Sequence, residues 1–276
     1  DVEDGMTRAL NLASEADAVI LVVGTNDDWE TEGNDREALA LPGEQNALIE
    51  AVVATNPNTV VVNNSGSPVA MPWLKRVPAM IQTWFAGQEF GNALMDLITG
   101  KANPSGKLPL TFPHRLEDTP AYTSYPGEFG KVQYGEGVFV GYRWYDTRDI
   151  EPLLPFGFGL SYTTFDISDL ATDDADEIFT VRCTVTNTGE KAGQETVQVY
   201  VRPIDKSVAR PEKELKGFAK VNLKPGASKT LSIDLDSEAF SHWDIDAAAW
   251  QSAKGRYEII VGNSSRDHRI STVVVV

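Results

Sequence analysis

Between Asp27 and Glu37 the sequence places six carboxylic acids, Asp27, Asp28, Glu30, Glu32, Asp35 and Glu37, against one base, Arg36. Trp29 and Gly33 are interleaved with them. Carboxylates accept hydrogen bonds from sugar hydroxyls, an indole plane stacks on the apolar CH face of a pyranose, and a carboxyl held protonated can donate to a leaving oxygen. A solvated acidic loop is the plain alternative, but such a loop gains nothing from an exposed indole. A calcium site is a second alternative, because acid spacing alone can mimic one.

Other chemistries find no support in residue type and spacing. No glycine-rich phosphate loop ends in Gly-Lys-Ser/Thr, since Gly100-Lys101 lacks the upstream glycine. His114, His242 and His268 are scattered without metal-ligand spacing, so neither a metal nor another cofactor is expected. Ser65 and Ser67 flank Gly66, but the Gly-x-Ser-x-Gly elbow of a serine hydrolase is missing.

The acidic loop must be held by regular structure on either side. Ala18 to Val23 is a continuous apolar run ending at Gly24, which predicts a strand buried on both faces. Gly43 to Thr55 has Ala47, Leu48, Ala51 and Val52 at helical spacing, broken by Asn56-Pro57-Asn58. Thr59 to Val62 and Ala79 to Trp84 read as further strands, and Phe90 to Thr99 as a helix closed by Gly100. Strands alternating with helices imply a parallel sheet with right-handed crossovers. Ligands bind beyond the carboxyl ends of such strands. The loop from Thr25 to Pro42 starts at the first of these ends and exceeds the usual βα connection of about two to six residues. The second end leads into Asn63-Asn64-Ser65-Gly66-Ser67 and the third into Phe85 to Glu89, with Trp84 and Phe85 expected mainly in the core.

Residues 101–165 are punctuated by Pro and Gly with aromatics between them, which predicts an ordered connector laid over other surfaces. From Ile178 short alternating strands recur about every ten residues, the pattern of a β-sandwich. His242 and Trp243 in that region are expected to pack. The resulting division is an α/β part over 1–115, a connector over 116–170 and a β-sandwich over 171–276.

The 276 residues carry a formal net charge of −16, with Asp and Glu in excess over the first 165 residues. Such a balance repels phosphates and excludes nucleic acid and anionic membrane as expected partners. No stretch approaches the length of a membrane span. The lone Cys183 permits no internal disulfide and leans toward a cytoplasmic rather than a secreted setting without deciding it. Asp1 in place of an initiator Met suggests a segment of a longer polypeptide.

Several motifs in order along the chain resemble glycoside hydrolase family 3, the β-glucosidase family. They are Trp29 to Arg36; Leu41-Pro42-Gly43 with Gln45; Ser65 to Val69; Gly106 to Pro113; Tyr134 to Arg143; and Pro155 to Tyr162. The resemblance implies the C-terminal part of an α/β sandwich domain followed by a fibronectin type III-like β-sandwich. It further implies retaining, exo-acting hydrolysis of β-glucosides or short oligosaccharides by two carboxyl groups. The nucleophilic Asp belongs to an N-terminal (β/α)8 barrel, on the same polypeptide or a separate chain, so these residues alone are expected to be inactive. The acid/base Glu matches Glu32 in the Glu-Gly-x-Asp-Arg part of the motif, with Glu30 as its rival and Glu136 a more distant one. Trp29, Asp35 and Arg36 are the expected substrate contacts, Trp29 and neighbouring acids being expected to keep Glu32 protonated. Arg36 paired with Asp35 would brace the loop, and Gly33 would allow its tight turn. A β-xylosidase or other β-glycosidase of the family, and a noncatalytic carbohydrate-binding fragment, stay open as alternatives. So does a homo-oligomer.

Overall fold

The computed structural model describes residues 4–33, 35–175, 178–205 and 208–276. An amphipathic helix, α1 (Gly5–Glu15), comes first. Met6, Ala9, Leu10 and Ala13 share one of its faces, with Ala13 buried, and the helix packs on α2 (Gln45–Thr55). α1 is not among the elements that the sequence pattern predicts. Its apolar stripe is built partly of small alanines, and Asp4 at its start makes no capping hydrogen bond, so both of the usual signals are weak.

Strands β1 (Val19–Gly24), β2 (Thr59–Asn64) and β3 (Ala79–Gln82) form a parallel sheet in the order β1-β2-β3. Val19 pairs with Thr59 and Val60 with Ala79. Val61 and Val62 of β2 and Ile49 of α2 are fully buried, and each such side chain contributes about 1.5–3 kcal/mol by leaving water. Trp73 is also enclosed, its indole N–H donating to Asn46 Oδ1 at 2.8 Å.

β1 departs from the expected strand buried on both faces. Ile20 and Val22 are about half exposed. Among the described residues β1 ends the sheet order, and the two-residue period sends these side chains to its uncovered face.

One compact unit takes the chain up to Ala93 together with Phe112–Tyr122; the other holds Leu94–Thr111 and Thr123–Val276. Helix α3 (Phe90–Ile98) lies where the first segment ends. In the second unit a short helix, α4 (Tyr142–Thr147), interrupts the Pro/Gly-rich stretch. Its Asp146 is buried and accepts from Lys213 Nζ at 2.5 Å and Arg266 Nε at 2.6 Å. Lys107 pairs with Glu195 at 2.7 Å, tying residues before α4 to the sandwich.

The sandwich comprises β4 (Phe165–Ala175), β5 (Ile178–Asn187), β6 (Gly193–Pro203), β7 (Glu214–Leu223), β8 (Ser228–Leu235), β9 (Ser241–Asp244), β10 (Ala249–Ser252), β11 (Arg256–Gly262) and β12 (His268–Val275). Antiparallel sheets β12-β11-β6-β7 and β4-β5-β8 enclose one core. Val181, Cys183 and Val185 from one sheet and Val197, Val199, Ile259 and Val261 from the other are fully buried in it. The fold is therefore α/β followed by all-β, as the alternating patterns require. The β9–β10 hairpin is an addition to that reading. Trp243 and Trp250 face each other across it, edge to face at 5.8 Å, each about half exposed, so Trp243 packs on its cross-strand neighbour.

Candidate active site

The parallel ladder carries the chain of β1 out to Thr25, whose N–H donates to Asn64 O at 3.1 Å. At the strand end the backbone is closed by Gln45, the first residue of α2. Its Oε1 accepts from Gly24 N at 2.8 Å and its Nε2 donates to Gly24 O at 2.9 Å. Gly24 must be glycine here, because a Cβ would lie 2.0 Å from Asn64 O. The loop then turns at Asn26, whose carbonyl accepts from the N–H groups of Trp29 and Glu30 at 2.9 and 2.8 Å.

Glu30 is the centre of the local hydrogen bonding. Its carboxylate accepts hydrogen bonds from the hydroxyls of Thr25 and Ser67, one from Gly66 N at 2.8 Å and one from Arg36 Nη1 at 3.3 Å. Arg36 Nη1 donates as well to Ser67 Oγ at 2.7 Å and to Pro68 O at 3.2 Å. Only 11% of the Glu30 side chain and 13% of Arg36 are exposed. Burial alone would push the Glu30 carboxyl up. Hydrogen bonds from Ser67, Thr25 and Gly66 and the Arg36 charge outweigh it and hold the group below the ordinary carboxylate value. Burial lowers the Arg36 value against the raising influence of Glu30.

The network continues across all three strand ends. Ser65 Oγ donates to Ser67 O at 2.9 Å and accepts from Asn63 Nδ2 at 3.0 Å. Asn63 Nδ2 reaches Gln82 Oε1 at 2.6 Å. The motif residues Gln45, Ser65 and Ser67 thus act as fasteners between strand ends.

The expected site residues divide into two groups. Glu30 and Arg36 are brought together. Glu32 and Asp35 are exposed, and Gly33 turns with φ +86° beside Glu32. Trp29 is half-buried, with its indole nitrogen shielded and unpaired among the described residues. The expected Arg36–Asp35 pair is replaced by Arg36–Glu30, because Arg36 turns to the loop after β2 while its sequence neighbour points to solvent. The enclosure of Glu32 by Trp29 and neighbouring acids is likewise corrected: its side chain stands in solvent within this chain. Arg36 has two further nitrogens buried without a partner among the described residues, which leaves its guanidinium inside the loop stem.

An open hollow of about 530 Å³ lies beside the stem, lined by Thr25, Asn26, Asp27, Asp28, Asn64 and Phe85. Phe85 is 52% exposed rather than in the core, and its ring edge would lie 2.7 Å from a Cβ at Gly66. Trp84 is half-buried against Phe112, ring centroids 5.9 Å apart. Among the described residues no three His, Cys, Asp or Glu side chains are grouped to hold a metal ion. Glu136 lies in the second compact unit.

Comparison with known proteins gives a consistent result. The sequence model of the glycosyl hydrolase family 3 C-terminal domain matches residues 3–142. That of the fibronectin type III-like domain matches residues 195–265. Thermostable β-glucosidase B of Acetivibrio thermocellus is 46% identical over 269 residues, which are 96% of this chain and 36% of that protein. A probable β-glucosidase I of Aspergillus terreus is 46% identical over 283 residues, 99% of this chain and 34% of the relative. The crystal structure of β-glucosidase from Kluyveromyces marxianus in complex with glucose matches with a TM-score of 0.93 at 44% identity, covering 98% of this chain and 32% of that one. A family 3 β-glucosidase of Bifidobacterium adolescentis matches with a TM-score of 0.95 at 45% identity, covering 100% of this chain and 42% of its own. The chain spans about a third of the length of the curated relatives it matches.

Proposed function

The chain belongs to glycoside hydrolase family 3, and from that premise we propose that it is the C-terminal part of a retaining, exo-acting β-glucosidase acting on terminal non-reducing β-D-glucosyl residues. Glu32 is the general acid/base, and the nucleophilic Asp lies on an N-terminal (β/α)8 barrel carried by the rest of the polypeptide. The Asp attacks the anomeric carbon while Glu32 gives its proton to the departing glycosidic oxygen. Glu32 then takes a proton from the water that hydrolyses the glycosyl-enzyme.

The observation that carries the choice of residue is the contrast between the two glutamates. Glu30 has its acceptor capacity taken by four donors and is held ionised, so it has no proton to give. Glu32 follows it on the exposed tip beyond the pinned stem, free to face a sugar bound by another part of the polypeptide. In this reading the barrel encloses Glu32 when the parts are together, and Trp29 and Asp35 contact the substrate from the same loop.

The test joins this chain to the rest of the Acetivibrio thermocellus β-glucosidase B, in place of the corresponding segment. The joined enzyme is expected to hydrolyse p-nitrophenyl β-glucoside, and the chain alone is expected not to. Glu32→Ala is expected to lower kcat/KM on glycosides with poor leaving groups by about 10²–10⁴-fold. A cooperatively folded joined enzyme that ignores Glu32→Ala contradicts the assignment.

A further inference from the structure

We propose that Glu30 is the positioning residue of the acid/base loop: an ionised anchor that fixes the stem from which Glu32 is presented, and that takes no part in proton transfer itself. The inference rests on the reading of Glu32 as acid/base and extends it to a residue whose own chemistry is silent.

Two positions before Glu32, Glu30 is tied to the loop after β2 through Gly66 N and Ser67 Oγ, and back to its own loop through Thr25. Four positions after it, Arg36 is tied to the same place, through Ser67 Oγ and Pro68 O, and to Glu30 directly. The exposed tip therefore leaves from and returns to one ring, Glu30–Ser67–Arg36. Of the charged groups on the elements packed against Glu30, the one that contacts it is Arg36. The ring holds only while Glu30 is a carboxylate, since a protonated or amide group in its place cannot accept from four donors.

Such an anchor acts on geometry. A misplacement of about 1 Å in a reacting group can cost on the order of 10²-fold in rate, so a loosened stem lowers kcat. Substrate binding, carried largely elsewhere in the proposed enzyme, is spared.

The experiment uses the joined enzyme with Glu30→Gln, Glu30→Asp and Ser67→Ala. Glu30→Gln is expected to lower kcat about 10–100-fold with little change in KM. Azide should not restore the rate, because a bound proton donor is still present. The alkaline limb of kcat/KM, which reports the general acid, should move to lower pH, since the positive charge of Arg36, four residues on in the same loop, is no longer balanced. Glu30→Asp should recover part of the loss. Ser67→Ala, the milder change, should shift kcat in the same direction with the melting temperature close to wild type. Unchanged kcat and an unmoved alkaline limb in folded Glu30→Gln or Ser67→Ala would overturn the proposal and leave Glu32 in place. Azide rescue of Glu30→Gln would also overturn it, by making Glu30 the acid/base. Full activity in Glu32→Ala would instead sink the underlying reading, whatever the Glu30 variants do.

Discussion

Arg36 donates to Glu30 at 3.3 Å, closing the acidic loop on itself and turning away from its sequence neighbour Asp35. One ion pair thus separates the loop acids into a stem that is ionised and bound and a tip that is exposed. Because the pair also holds Ser67, the stem is fastened to a second strand end. The chemistry proposed for Glu32 depends on that fastening.

The pH dependence of stability follows from the same pair. The folded Glu30 carboxyl is held below its unfolded value of about 4.3. Its stabilisation is therefore fully present above that value and is lost as pH falls through it toward the folded value. Melting temperatures of the chain and of Glu30→Gln, measured between neutral pH and the acid range, should differ most at neutral pH and converge on acidification. A constant gap would contradict the assignment.

Gly24→Ala should weaken the first unit at the site itself. A Cβ 2.0 Å from Asn64 O forces β1 and β2 apart where Thr25 begins the loop. Overpacking of this kind costs about 1–3 kcal/mol, and urea unfolding of the variant should show it. In the joined enzyme the same substitution should lower kcat as well.

Asp146→Ala should destabilise the second unit. Asp146 accepts from Lys213 and Arg266 in a buried setting, and removing it leaves buried Lys213 uncompensated while Arg266 keeps Glu151 at 3.2 Å. Breaking such a cluster costs about 3 kcal/mol, readable as a lower urea midpoint. A loss below a few tenths of a kcal/mol would mean that water compensates the charges.

Cys183 should be silent toward thiol reagents in the native chain. It lies in the sandwich core, and burial pushes its thiol up to about 11. Reaction with an aromatic disulfide reagent should appear only with urea unfolding of the sandwich.

Much of the architecture is legible in the residues because its signals are local. Thr59 to Val62 is a β-branched run between breakers, and the paired alternation of Val181, Cys183 and Val185 declares an inward face. The α1 helix and the four-residue strands β9 and β10 carry too few apolar positions to stand out. The site was legible as a place and less so as a geometry. The loop acids, Trp29 and the Gly33 turn mark it, but the partner that separates Glu30 from Glu32 is Ser67, in a loop more than thirty residues away. Contacts between strand ends are set by sheet register, which a single sequence does not display.

In the proposed mechanism Glu32 supplies and removes the proton during glycoside cleavage. The most direct measurement is the product formed by Glu32→Ala in the joined enzyme from an activated aryl β-glucoside in azide, identified by NMR. Restored turnover and a β-glucosyl azide are expected, because azide attacks the glycosyl-enzyme without needing a base and the configuration is retained. Glucose as the only sugar product, formed at the unsubstituted rate with or without azide, would contradict that role for Glu32.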